Sequence, residues 1–173
     1  MFKLLFTALL VSISVAKVVL VYQVARHGAR SSPKVFSGVI ETPDENFVRG
    51  NQTLTRLGLE QTYERGVLSV NKYKHLFENS HMSNIKVRSS NTTRTIFSTY
   101  AHLLGIYGSL ECRKELRLFT QAHPTKEVNS FNDIGQSLTN CFTPFIKKVV
   151  VQKEGDSTFQ MNNSGCDLYN NLT

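Results

Sequence analysis

The chain has 173 residues, 40 % of them hydrophobic, and a formal net charge of +7. That length is one domain's worth, and that apolar content excludes a disordered chain, which lacks the apolar surface to offset the entropy of ordering. The cations are scattered through every segment with no nucleic-acid motif around them, which argues against DNA or RNA as a partner.

Residues 1–16 read as a secretory signal: Lys3 supplies the positive start, Leu4 to Val15 the short apolar run, and Ser14-Val15-Ala16 the small residues of a cleavage site. A signal anchor is the rival reading, because apolar residues resume after Lys17. The resumed run is valine-rich and carries Tyr22 and Gln23, which suits a strand better than a membrane helix, so no stable membrane span is expected after cleavage. The expected address is secreted or lysosomal. Sequons at Asn51, Asn162 and Asn171 agree with that route as glycosylation sites, while a fourth at Asn91 lies close to the candidate site described below. The same route makes disulfides chemically possible for Cys112, Cys141 and Cys166, an odd count that leaves one thiol free or paired outside this sequence.

Taken in chain order, Val18 to Ala25 has the composition of a strand buried on both faces in a parallel sheet. It runs into Arg26-His27-Gly28-Ala29-Arg30, and residues 31–52, with Ser, Pro and Gly, read as a long loop. From Leu54 to about Val70 the spacing predicts a helix, with Leu59, Tyr63, Val67 and Val70 on one stripe and Thr53 or Thr55 as cap; Gly58 and Gly66 count against it. Ile85 and Val87 alternate with polar neighbours as a short strand. Ser89-Ser90-Asn91 offers capping side chains, and Ile96, Tyr100, Leu103 and Tyr107 then repeat at helical spacing. Strand, helix, strand, helix predicts an α/β fold with a mostly parallel sheet flanked by helices. Ligands of such sheets collect at the carboxyl ends of strands, where Arg26-His27 and Arg88-Ser89 fall.

The chemistry of those ends is specific. His27 has a cation immediately before it and another three residues after, and nearby positive charge disfavours the imidazolium, leaving a neutral nucleophile. Arginine forks match phosphate oxygens and stay charged at any working pH, and Gly28 lets the backbone turn closely around an anion. Arg94 falls in the first turn of the second helix, where the macrodipole is positive and a cation is disfavoured unless an anion is shared with the helix end. Alone it reads as a solvated side chain; beside a strand-end Arg-His-Gly-x-Arg it reads as part of a site. His75, His81, His102 and His123 have no carboxylate or cysteine at metal-ligand spacing and read as exposed or core histidines, with no metal; His123, before Pro124, is placed to border the pocket.

Arg26-His27-Gly28-Ala29-Arg30 resembles the RHGxR signature of the histidine acid phosphatases, in the wider histidine phosphatase superfamily. Leu54-Thr55 followed by Gly58, Gln61 and Gly66 is similar to that family's next helix, and the run Val87 to Thr95 (VRSSNTTRT) resembles its second block. The resemblance implies a hydrolase of phosphate monoesters working at acid pH through a phosphohistidine on His27, with Arg26, Arg30 and Arg94 binding the phosphate and no cofactor. Small-molecule and protein phosphate monoesters alike fit as substrates.

Two departures stand out. Ser31 and Ser32 precede Pro33 where the family often has one residue, and no His-Asp pair occurs anywhere, so the late aspartate that usually protonates the leaving oxygen is not in these 173 residues. The resemblance therefore implies about the first half of a usual family member, with an α/β core over 17–117 and, over 118–173 with Cys166-Asp167-Leu168-Tyr169 near its end, the start of a helical cap lobe. The alternative function is a non-catalytic, secreted phosphate-ester-binding protein; a structural glycoprotein in which the motif is coincidental is the third.

Overall fold

A computed structural model describes residues 18–31, 52–78 and 80–153. Within them, the elements in chain order are β1 (Leu54–Thr55), α1 (Arg56–Lys72), α2 (Lys74–Phe77), β2 (Val87–Ser89), α3 (Thr93–Tyr107), α4 (Leu110–Ala122), β3 (Glu127–Val128), α5 (Gly135–Ile146) and β4 (Val149–Val151). The signal segment, the loop after Ser31 and the sequons at Asn51, Asn162 and Asn171 lie outside the described residues, as does Cys166.

The two periodic stripes form the helices they predict. Thr55 caps α1, its hydroxyl accepting from the Gly58 N–H, and Leu59 and Tyr63 face the core. Helix α3 presents Phe97, Tyr100, Leu103 and Leu104 to the same interior. The two helices cross at Gly66 and Gly105. A Cβ on Gly66 would land on the His102 carbonyl, so the glycine that counts against the α1 helix by propensity is what lets α3 lie against it. Thr92 makes no side-chain cap bond; Thr95 instead donates to the Ser90 and Thr92 carbonyls and folds the chain into the α3 entry.

The fold is α/β with five helices and two two-stranded sheets among the described residues. β2 and β4 pair in parallel, with Val87 beside Val149 and Ser89 beside Val151, while β1 and β3 pair antiparallel through Leu54 and Val128. Helix α4 runs unbroken through the 117/118 boundary expected from the sequence. Leu138, Phe142 and Phe145 of α5 join Phe97, Tyr100 and Leu116 in one core, and Phe131 completes an aromatic cluster with Phe97 and Tyr100. A disulfide between Cys112 and Cys141 ties α4 to α5, assigning two of the three cysteines.

One expectation is corrected. Val18 to Ala25 has no regular secondary structure, pairs with no strand among the described residues and is not buried: Val19 is 83 % exposed, Leu20 80 % and Tyr22 86 %. No described strand lies alongside it. It is tied to the helices, where Ser69 reaches the Gln23 side chain and His75 meets the Val18 carbonyl, and further along the chain Gln61 holds Ala29. The segment thus runs beside α1 in the opposite direction with its apolar side chains in water.

Candidate functional site

The motif Arg26 to Arg30 has no regular structure of its own; other elements hold it. The Gly28 N–H donates to the Ser98 hydroxyl of α3 at 3.1 Å, and the Ala29 N–H donates to the Gln61 side-chain oxygen of α1 at 2.9 Å. The Ala29 carbonyl accepts from both the N–H and the hydroxyl of Thr55, each at 3.0 Å. Ser31, fully buried, exchanges bonds with Thr53, and Arg30 bridges to Leu54. α1, α3 and the Thr53–Thr55 segment thus fix four backbone groups of the motif.

Gly28 is required for a reason the sequence reading missed. Its φ is not in the left-handed region, so no special turn needs it. A Cβ there would coincide with the Gly58 carbonyl, and one on Gly58 with the Ala29 carbonyl. The motif is therefore pressed backbone to backbone against the first turn of α1. That turn's own N–H groups are already used: Arg56 donates to the Lys126 carbonyl, Leu57 to the Pro124 carbonyl, and Gly58 to Thr55.

His27 is half-buried, with Nδ1 2.8 Å from the Gly28 carbonyl oxygen. A carbonyl only accepts, so Nδ1 carries the ring proton and Nε2 keeps its lone pair. Burial pushes the imidazole below its ordinary value of 6.5, the Gly28 bond opposes this, and the charges of Arg94, Arg26 and Arg30 push it down further. The neutral form expected from the flanking arginines is therefore favoured, with desolvation as the larger cause.

Arg26, His27 and Arg30 line one open cavity of about 660 Å³ together with Gly28, Ala29, Ser31, Gln61, Thr62 and Arg65. Arg30 donates to the Ser31 carbonyl at 2.8 Å, which braces its guanidinium at the cavity wall. Arg94 lines a second cavity of about 270 Å³ with Gln52, Thr53, Thr92, Thr93 and Asn129, and its Nε is buried with no hydrogen-bond partner among the described residues. It is nonetheless the strongest of the three arginine charges acting on His27, so the two blocks of the sequence meet electrostatically at that ring. Arg88 is exposed on β2 and lines neither cavity. His123 ends α4 and also lines neither. Among the described residues no three His, Cys, Asp or Glu side chains gather as a metal site, and no helix is long and apolar enough to cross a membrane. Arg65 and Ser98 escape the sequence reading. Arg65 lies one helical turn beyond Gln61, and the i, i+4 spacing from that residue is the signal that finds it.

Fold and site together define a class: an α/β protein in which a histidine lines a cavity with three arginines. The chain matches the family model of the Histidine phosphatase superfamily (branch 2) over residues 17–172, and it belongs to that family. Phosphatase-type chemistry on phosphate esters is the general function this membership supports. Neither a curated protein nor a solved structure matches the chain significantly.

Proposed function

We propose that the protein hydrolyses phosphate monoesters at acid pH through a phosphohistidine on His27. The observation that carries this reading is His27 lining a cavity beside Arg26, Arg30 and Arg65, its Nδ1 tied to the Gly28 carbonyl so that Nε2 keeps its lone pair. Nε2 attacks phosphorus in line; the N–P bond forms as the ester P–O bond breaks, and the leaving oxygen takes a proton. Water then attacks phosphorus, the N–P bond breaks, and inorganic phosphate departs with the imidazole restored. Arg26, Arg30 and Arg94 hold the equatorial oxygens and stabilise the charge spread over them in the transition state. A depressed histidine stays unprotonated further into the acid range, where protonation of the leaving group is easier.

The test is turnover of 4-nitrophenyl phosphate at pH 5 by the wild type and by His27→Ala, with the phosphoenzyme trapped from labelled substrate by an alkaline quench. The variant should lose both turnover and label; a variant that still turns over would refute the assignment. A second reading is a non-catalytic phosphate-ester binder, which uses the same arginine-lined cavity to hold the anion without turnover. A wild type that gains thermal stability from phosphate or vanadate yet shows neither turnover nor label would establish that reading instead.

The same proposal extends to the address. The Cys112–Cys141 disulfide and the sequons at Asn51, Asn162 and Asn171 support a secreted or lysosomal, glycosylated protein. Loss of mass on enzymatic deglycosylation of the protein from its native source checks this.

A further inference from the structure

The peptide group between Gly28 and Ala29 carries two bonds that bear on His27. Its carbonyl accepts the Nδ1 proton of the ring at 2.8 Å, and its N–H, which belongs to Ala29, donates to the Gln61 side-chain oxygen at 2.9 Å. A trans peptide is planar with its N–H and carbonyl pointing in opposite directions, so fixing one end aims the other. Gln61 thus sets where the Gly28 carbonyl points without touching the imidazole.

The consequence reaches the reactive nitrogen. Which nitrogen of a neutral histidine holds the proton is decided by the hydrogen bonds the ring makes. With the Gly28 carbonyl turned towards the ring, Nδ1 holds the proton and Nε2 keeps its lone pair. Turned the other way, the same peptide would show the ring its N–H, Nδ1 would become the acceptor, and the proton would move to Nε2. Gly28 has no Cβ to oppose such a rotation, so a partner has to oppose it. A bond at the N–H also polarises the amide and makes its carbonyl a stronger acceptor, as linked hydrogen bonds do. Gln61 reaches the motif from the second turn of α1, and its oxygen is the atom facing Ala29, because an N–H only donates. Gln61 also lines the cavity, so a direct contact with substrate is the rival role.

Resting on the phosphatase reading, we propose that Gln61 is a positioning residue for the nucleophile: through the peptide between Gly28 and Ala29 it keeps the His27 proton on Nδ1 and the lone pair on Nε2.

The experiment reads the ring directly, by nitrogen NMR of the full chain carrying isotope-labelled histidine, above pH 7 where His27 is neutral, with its signals assigned by their loss in His27→Gln. The wild type should show a protonated Nδ1 and a bare Nε2. In Gln61→Met, which keeps bulk and helix propensity but loses the oxygen, the two signals should move towards each other as the proton is shared; Gln61→Glu, which keeps an oxygen acceptor, should hold the wild-type pattern. With 4-nitrophenyl phosphate, kcat should fall about tenfold in Gln61→Met, the worth of one hydrogen bond, and KM should change little because the arginines stay in place. A Gln61→Met protein with the wild-type nitrogen pattern overturns the proposal whatever its rate, and so does a changed pattern with wild-type kcat. A rise in KM alone assigns Gln61 to the substrate instead. If Gln61→Met does not fold, Gln61→Ala is held to the same expectations. A wild type without turnover sinks the phosphatase reading, and the nitrogen pattern alone then decides for or against Gln61.

Discussion

Gly28 and Gly58 meet backbone to backbone, so that neither position has room for a side chain. This contact sets the depth at which His27 enters its cavity, because Gly28 is the next residue and its carbonyl is the acceptor for the ring. Gly28→Ala and Gly58→Ala must therefore push the motif off α1. Overpacking of this kind costs about 1–3 kcal/mol, and here the obstacle is backbone, which cannot rotate away. Urea denaturation should show that loss for either variant, and phosphate should no longer raise the melting temperature. A Gly28→Ala protein with wild-type stability and phosphate response would mean that the contact is dispensable.

The titration of His27 should answer to Arg94. Removing that charge in Arg94→Met should move the imidazole back up towards 6.5, since Arg94 lowers it more than either motif arginine does. The acid limb of kcat/KM should move up with it, because a protonated ring has no lone pair for phosphorus. The ring Cε1–H proton resonance followed by NMR reads the shift directly. No movement, or a downward one, would place Arg94 too far away to act on the reaction.

Stability should depend on pH through two histidines. Burial lowers His102 as it lowers His27, with Arg65 adding to the effect and a backbone bond to Thr62 opposing it. Both rings are neutral in the fold at a pH where the unfolded chain has begun to protonate them. The unfolded state therefore binds more protons below about 6.5, and stability falls as pH drops through that value towards the folded pKa values. Urea midpoints at pH 7 and pH 5 measure the slope, and His102→Gln should flatten it. A slope that His102→Gln leaves untouched would mean that His102 is solvated in the folded state.

Reduction of Cys112–Cys141 should destabilise the fold without touching the site. The bond spans 29 residues, and closing a loop of that length is worth about 3–4 kcal/mol through the unfolded state. Cys112→Ser with Cys141→Ser should lower the urea midpoint accordingly while the His27 resonance stays where it is. A site that vanishes under native conditions would show that α4 and α5 also position the motif.

The exposed run after Lys17 should make the protein self-associate. Val19, Leu20, Tyr22 and Val24 stand in water in a segment that pairs with no strand among the described residues, an apolar run that invites association. Val19→Lys should reduce light scattering at high concentration, and an unaltered signal would locate the sticky surface elsewhere.

The sequence makes some of this legible and hides the rest for physical reasons. Helices α1 and α3 declare themselves through stripes such as Leu59 to Tyr63 and Tyr100 to Leu103, because a helix's period is local. The cap offered by either Thr53 or Thr55 resolves to Thr55, a choice the spacing leaves open. Strand β4 is three valines long, and its pairing with β2 depends on residues 62 positions away, which no local pattern encodes. Val18 to Ala25 has a strand's composition, but composition states what a segment can pack against and not whether a neighbour is there. The motif histidine and arginines are visible as residue types. Arg65 looks like any exposed helical cation until the cavity wall shows what it faces. Ser98 is invisible, and Gln61 is visible only as part of a helix pattern and not as an anchor, because they act 70 and 32 residues from their targets.

Those anchors give the site an unusual kind of fragility. A loop on a hairpin or a helix end can melt and reform alone, but the backbone bonds that place residues 28–31 come from α1, α3 and the chain around Thr53 and Thr55. The geometry of the motif therefore has no independent melting point. Occupancy of the cavity by an anion, followed against denaturant, is a gauge of the entire fold, and its midpoint coincides with that of the first of these elements to unfold.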